Sequence, residues 1–219
     1  MARIARIVAP GVPHHVTQRG NRRQQTFFCD EDYKAYLHLL AQWCSQWKVE
    51  IWAYCLMPNH VHLIVVPPSK EALTRAIAET HRRYTSRVNL REGWTGHLWQ
   101  GRFSSFPLSE AHLYSAASYV ERNPVRAGLV KEPWQYPWSS AAAHLAGYDN
   151  QLVRVGPLLE MFGDWREYLT RDIPEEDVHV LLRHERTGRP LGDETFLVGL
   201  EEALGQSLQP RKRGPRRKD

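Results

Sequence analysis

With 219 residues, 42% of them hydrophobic, the chain has material for one sizeable domain and a smaller appendage, and needs no covalent staple to hold a core. Its three cysteines, Cys29, Cys44 and Cys55, form no Cys-x-x-Cys pair, which argues against a disulfide framework or a thiolate zinc site and for a reducing cytoplasm. The net charge of +5 is unevenly spread: residues 1–159 are basic, 160–210 acidic, and 211–218 hold six of the 29 Lys and Arg residues. Residues 1–7 lack the apolar run of a signal peptide and no stretch is long enough to span a bilayer, so no membrane partner is expected.

Residues 12–19 read as a first strand, stopped by Gly20 and Asn21. Asp30 is the expected N-cap of a helix over 31–47, in which Tyr33, Leu37, Leu40, Cys44 and Trp47 recur at helical spacing. A second strand over 49–56 and a turn at Met57-Pro58-Asn59 lead into an apolar strand that opens His60-Val61-His62. Side chains alternate along a strand, so His60 and His62 share one face, continued by Ile64 and Val66. Leu63 and Val65 lie on the other face, so the strand reads as central. Two hydrogen-bonded core histidines and a metal site are both compatible with that pair.

Ser69 is the expected cap of a second helix with Leu73, Ile77, Tyr84 and Val88 inward and Arg75, Arg82, Arg83 and Arg87 outward. A glycine-containing passage over 93–103 enters a short strand through Phe106. Ser109 then caps a third helix, from 110 to about 122, that turns Leu113, Ala116, Ala117 and Val120 to the core. His112, Ser115, Tyr119 and Asn123 fall on a separate face of it, and Pro124 ends it. This order predicts an α+β two-layer sandwich, an antiparallel sheet of three or four strands with helices over one face. Helices near 157–169, 174–186 and 194–204 follow. The predicted division is a domain over 1–147, a helical accessory domain over 148–210 and a disordered basic tail over 211–219.

Arg19, Arg22, Arg23, Arg82, Arg83, Arg87 and Arg102, set among aromatic residues, suit a phosphate backbone, although solvated surface is the ordinary role of any single one. There is no Gly-x-x-x-x-Gly-Lys-Ser/Thr loop. His14 and His15 open the first strand and stand as possible neighbours of the histidine pair. Tyr84 and Tyr114 are rivals to Tyr119 for any nucleophilic role.

Met57-Pro-Asn-His60-Val-His62, Leu98-Trp-Gln-Gly-Arg-Phe103, Tyr119-Val-Glu-Arg-Asn123-Pro-Val-Arg-Ala-Gly-Leu-Val130 and Trp138-Ser-Ser together resemble the HUH single-tyrosine transposases, in particular the REP-associated tyrosine transposases of bacteria, over roughly residues 8–147. The resemblance implies an HUH, ferredoxin-like fold. It also implies a metal site of His60, His62 and Asn123 holding Mg²⁺ or Mn²⁺, and Tyr119 as the nucleophile that forms a 5′-phosphotyrosine on single-stranded or hairpin DNA. Some relatives carry Gln where Asn123 stands, and the shorter amide reaches a metal directly or through water. Arg102, Arg122 and His97 are further candidates for phosphate contact. The implied setting is the bacterial cytoplasm at the nucleoid, with the site completed within one chain or across a homodimer. The rivals are a catalytically inactive hairpin-binding relative and a His-x-His zinc hydrolase. The second lacks the Asp-His pair such sites use, since Leu63, Ile64, Val65 and Val66 follow His62.

Overall fold

Four stretches pair into one antiparallel sheet in the computed structural model, which describes residues 6–208: β1 (His14–Arg19), β2 (Glu50–Met57), β3 (His60–Val66) and β4 (Ser104–Pro107), in the order β2-β3-β1-β4. The basic tail expected to be disordered over 211–219 lies outside the described residues. The Met57-Pro58-Asn59 turn sets Met57 opposite His60 and Cys55 opposite His62, and across β1 the partners of His60 and His62 are Arg19 and Thr17. Residues directly opposite share a face. One face therefore carries His15, Thr17, Arg19, Cys55, His60, His62, Ile64 and Phe106, and the other Val16, Leu56, Val61, Leu63 and Val65.

The second face is covered by α1 (Asp30–Gln46) and α2 (Lys70–Glu92), whose Tyr36, Leu40, Leu73, Ile77, Tyr84 and Val88 join Val16, Leu63 and Val65 in one apolar cluster. Each such aliphatic side chain taken fully out of water contributes roughly 1.5–3 kcal/mol. α2 begins as expected, with Ser69 Oγ accepting from Ala72 N at 3.0 Å. α1 does not: Cys29 occupies the cap position without a side-chain bond, and Asp30 is already helical. No side chain takes the role expected of Asp30; Asp32, in the first turn, instead reaches back with Oδ2 to accept from Phe28 N, ahead of the helix, at 2.9 Å, and its carboxylate also pairs with Arg91 of α2.

Helices are not confined to one face. α3 (Glu110–Glu121) lies on the histidine face, and its Leu113, Ala116, Ala117 and Val120 pack among Ala53, Cys55, Ile64 and Phe106. The histidine face is as apolar as the other beyond His62, so it too needs a cover, and alanines let α3 approach closely. Asn123–Arg126 form a single turn, α4, with Pro124 in the first-turn position where a missing N–H costs nothing. Residues 138–140 run beside β2, with Leu56 N donating to Trp138 O at 2.9 Å and Ser140 N to Tyr54 O at 3.0 Å, and lead into α5 (Ala141–Ala146).

The helix predicted over 157–169 is two helices, α6 (Gly156–Phe162) and α7 (Trp165–Thr170). Gly163 between them has φ 69°, ψ −121°, a conformation closed to other residues, and Asp164 restarts the helix by accepting from Glu167 N at 3.0 Å. α8 (Glu175–Thr187) and α9 (Glu194–Leu204) follow as expected. Leu158, Trp165, Tyr168, Val178, Leu181 and Leu191 enter the same apolar cluster as α3 and the histidine face. Among the described residues no helix is long and apolar enough to cross a membrane.

Candidate functional site

The register of β1, β2 and β3 and the approach of α3 bring His60, His62, Tyr119 and Asn123 together within one chain. The Tyr119 ring lies edge-on to His62 with centroids 5.5 Å apart and edge-on to His15 at 6.1 Å, and the His60 and His62 rings are 4.9 Å apart. The Asn123 amide, one helical turn beyond Tyr119, lies against both the Tyr119 hydroxyl and His60.

Each histidine of the pair has one ring nitrogen engaged and the other directed elsewhere. His60 Nδ1 is 2.5 Å from Asn59 Oδ1, which can only accept from it, so the ring carries its proton on Nδ1 and presents a lone pair on Nε2. His62 Nδ1 is 3.0 Å from His15 Nε2. His62 Nε2 and Asn123 Nδ2 are buried without a hydrogen-bond partner. A buried imidazole nitrogen left unpaired on this wall is a costly arrangement in the absence of a ligand; the atom Asn123 would offer a cation is its carbonyl Oδ1, while Nδ2 is a donor beside the Tyr119 hydroxyl. An imidazole held by its far nitrogen is the usual state of a histidine metal ligand. The donor set thus fits a divalent ion bound by His60, His62 and Asn123. Among the described residues no three His, Cys, Asp or Glu side chains gather for a metal, so the amide is integral to the fit.

Burial keeps both imidazoles neutral, as ligation requires. His60 is lowered to about 4 and His62 falls well below the usual histidine range, in each case by desolvation first, with Arg19 adding to the shift. Tyr119, 6% exposed, is raised above the ordinary phenol, first by burial and then by the Glu185 carboxylate; Arg126 and Asn123 pull the other way. The Arg126 guanidinium lies 4.9 Å over the Tyr119 ring.

Arg126 and Glu185 are site residues that sequence reasoning missed. Arg126 falls seven residues after Tyr119, on the same side of a helix, but Pro124 masks that continuity. Glu185 comes from α8, whose backbone carbonyl at this residue accepts from Ser104 Oγ at 2.6 Å, and its side chain faces Thr17 and Arg19. Of the two histidines that open β1, His15 is in the site. His14 is structural, with Nδ1 donating to Val12 O at 2.7 Å and Nε2 accepting from Ala9 N at 3.2 Å.

The two rival tyrosines lie elsewhere. Tyr84 is fully buried under the other face and donates to Thr26 O at 2.7 Å, and Tyr114 packs on Phe162 and Tyr168.

The arginines divide. Arg19 ends β1 opposite His60. Arg22 and Arg23 are exposed in the following turn, and Arg102 is exposed beside Gly101, whose carbonyl accepts from Gln18 Nε2 at 3.2 Å. These four stand at the end of the sheet where β3 begins. Arg82 and Arg83 sit on α2, across the sheet from Tyr119, both facing Glu79. Arg122 is turned inward, donating to Leu169 O at 2.5 Å and pairing with Asp172, so its guanidinium braces α7.

The family described as "Transposase IS200 like" matches residues 11–123, a span that holds β1 to β4, both site histidines, Tyr119 and Asn123. A REP-associated tyrosine transposase of Escherichia coli is 24% identical over 121 residues, covering 55% of this chain and 70% of its own. A Haemophilus influenzae protein of the same designation is 27% identical over 139 residues, covering 57% of this chain and 75% of its own. The solved structure of a REP-associated tyrosine transposase bound to a REP hairpin superposes with a TM-score of 0.58 at 23% identity, over 68% of this chain and 89% of that one, a likeness of fold.

Proposed function

The chain belongs to the IS200-like transposase family, and from that premise we propose that it is a metal-dependent single-strand DNA endonuclease and strand transferase with Tyr119 as nucleophile. The observation that carries this reading is the juxtaposition of the Tyr119 phenol with His60, His62 and Asn123 on one wall, where His62 Nε2 is buried without a partner. A core packed for stability alone would fill that wall with apolar side chains or pair its polar atoms.

Arg19 at the mouth of the site, with Arg22, Arg23 and Arg102 beside it, draws in and orients a phosphate of the DNA strand. Tyr119 Oη attacks the phosphorus. A bond from phosphorus to the phenolic oxygen forms, the bond to the 3′ oxygen breaks, the electron pair leaves with that oxygen, and the proton lost by the phenol is balanced by one gained there. The Arg126 cation over the ring and the Asn123 amide beside the hydroxyl favour the phenolate. When bound to His60, His62 and Asn123, Mg²⁺ or Mn²⁺ supplies positive charge to the phosphate oxygens. The 5′-phosphotyrosine keeps the energy of the phosphodiester, so another strand's 3′ hydroxyl can reverse the step, and joining needs no nucleotide cofactor. The structural neighbour is bound to a REP hairpin, which supports a hairpin as the substrate; attack on a single strand further requires unpaired nucleotides extending beside it.

The test is a covalent one. Labelled single-stranded hairpins incubated with the protein and Mn²⁺ should yield a protein–DNA adduct that survives denaturation and maps by mass spectrometry to Tyr119. Tyr119→Phe should give neither adduct nor cleavage while still binding the hairpin. Cleavage by that variant would mean water attacks instead, and binding without cleavage by the wild type would make the chain a hairpin-binding relative.

A further inference from the structure

The loops that surround the beginning of β3 sort their aromatic residues in opposite directions. Phe27 is fully buried, stacked on Tyr33 with centroids 4.5 Å apart, and Trp99 is buried in the same cluster. Their near neighbours in the same two loops, Phe28 and Trp94, point outward, 39% and 44% exposed, with rings edge to face at 5.7 Å. The buried pair anchors the loops; the exposed pair contributes little to the core.

The exposed pair is held in place rather than loosely displayed. Trp94 N donates to Asn89 O at 2.9 Å and Asn89 Nδ2 to Gly96 O at 3.0 Å, which tie the loop to the end of α2. The Arg91 guanidinium, fixed by Asp32, lies 5.7 Å over the Phe28 ring. Both loops are also joined to the site. Thr26 N and Phe27 N donate to Pro58 O at 2.8 and 3.2 Å, and Gly20 N donates to Asn59 O at 2.8 Å, in the turn whose Asn59 side chain holds His60. Asn21 N donates to Leu98 O at 2.8 Å. A Cβ on Gly20 would come within 2.2 Å of Gln24 O, so only glycine permits this close seam. Residues 20–28, 57–59 and 93–101 thus form one ledge continuous with the mouth of the site. Arg22 and Arg23, exposed on the ledge, make no ion pair among the described residues, whereas Arg82, Arg83 and Arg91 are all paired.

We propose that Phe28 and Trp94 form a stacking site for an unpaired base of the DNA strand that extends from the hairpin, with Arg22 and Arg23 opposite its phosphates. The proposal rests on the single-strand DNA reading above and names the surface that reads the extension. Two exposed rings on the same ledge as two guanidiniums without an ion pair match a nucleotide strand, which offers π faces and anions together, better than an apolar protein partner, which would leave the arginines without counter-charge.

The experiment compares full-length wild type, Phe28→Ala, Trp94→Ala and Trp94→Phe by anisotropy on three probes: a bare hairpin, the hairpin with a short single-stranded extension, and the same extension made abasic. Each alanine variant should bind the extended hairpin roughly 5- to 100-fold more weakly, the range expected for one base–aromatic stack. Binding to the bare hairpin and to the abasic probe should match wild type, and Trp94→Phe should retain most of the affinity. Wild-type affinity of the alanine variants for the extended hairpin, or an equal loss on all three probes, would overturn the proposal. Formation of the Tyr119 adduct by wild type is scored separately. Its absence would remove the catalytic reading while leaving the stacking result to be judged on the probes.

Discussion

His15 Nε2 and His62 Nδ1 share a buried hydrogen bond of 3.0 Å between adjacent strands, and the two rings lie nearly parallel at 5.3 Å. The bond fixes the orientation of His62 and, with the proton on His62 Nδ1, leaves Nε2 as the lone-pair donor. Removing such a supporting partner commonly costs roughly 10- to 100-fold in metal affinity. His15→Ala should therefore weaken Mn²⁺ binding by about that factor in a direct titration, with hairpin affinity in chelator close to wild type. Unchanged Mn²⁺ affinity would make His15 a packing residue.

The buried histidines also set an acid limit on the fold. Desolvation holds His14 and His60 at about 4 and His15 and His81 at about 3, against about 6.5 in the unfolded chain. Their folded values are depressed, so the unfolded chain binds more protons below 6.5. The stability they contribute is complete above that pH and is lost as pH falls toward 4 and 3. Each such group contributes a slope of up to about 1.4 kcal/mol per pH unit. The urea midpoint measured in chelator should fall steadily from pH 7 to pH 5. His81, remote from the site and bonded to the Tyr36 hydroxyl at 2.9 Å, offers a clean control: His81→Gln should flatten the slope by one histidine's share. A midpoint independent of pH over that interval would contradict the burial argument.

Much of this site is legible in the sequence because its members lie on regular elements. The alternation of His60, Val61, His62 and Leu63 fixes which side chains share a face, and the four-residue step from Tyr119 to Asn123 puts both on one side of α3. Ser69 is found as a cap for the same reason, since its signal is local. What escapes is contributed by packing between distant segments. No local pattern in α8 announces that Glu185 will approach Thr17 and Tyr119. Nor does the charge of Arg122 reveal that it faces Leu169 and Asp172 rather than solvent. The apolar stripe of α3, Leu113, Ala116, Ala117 and Val120, is legible, but no local signal tells which face of the sheet it covers, so the placement of helices on both faces is not.

The C-terminal helices are tied to the helix of Tyr119 by a buried carboxylate. Glu121, two residues from Tyr119 and fully buried, accepts from His144 Nδ1 at 2.7 Å, from Trp165 Nε1 at 2.8 Å and from Ser140 Oγ. A chain ending at residue 150 would lose the Trp165 donor and uncover Leu113, Val120 and Tyr119 at once. A buried carboxylate deprived of a donor costs roughly 1–3 kcal/mol or more, before the lost apolar burial is added. Circular-dichroism melting should show the truncated chain unfolded or far less stable than the full chain. A cooperative transition at the full-length temperature would instead show that residues 1–150 fold independently of the C-terminal helices.

Tyr119 sits between opposed charges, and their removal should move its reactivity in opposite directions. Burial and then Glu185 raise the phenol, while Arg126 and Asn123 lower it. Cleavage that depends on the phenolate rises with pH through the phenol's own titration, so a higher value moves the rising limb to higher pH. Arg126→Ala removes the cation 4.9 Å from the ring and should shift that limb upward in pH, with a rate loss largest at neutral pH. Glu185→Gln keeps the shape and the hydrogen-bonding oxygen but removes the charge that opposes the phenolate, and should shift the limb downward. Single-turnover cleavage at saturating hairpin and fixed Mn²⁺, followed across pH for the wild type and both variants, reads the two shifts directly. Opposite displacements fit an electrostatic field acting on Tyr119. Displacement of both limbs in the same direction, or of neither, would mean that these side chains act on DNA binding or on folding, and that the phenol is activated by another group.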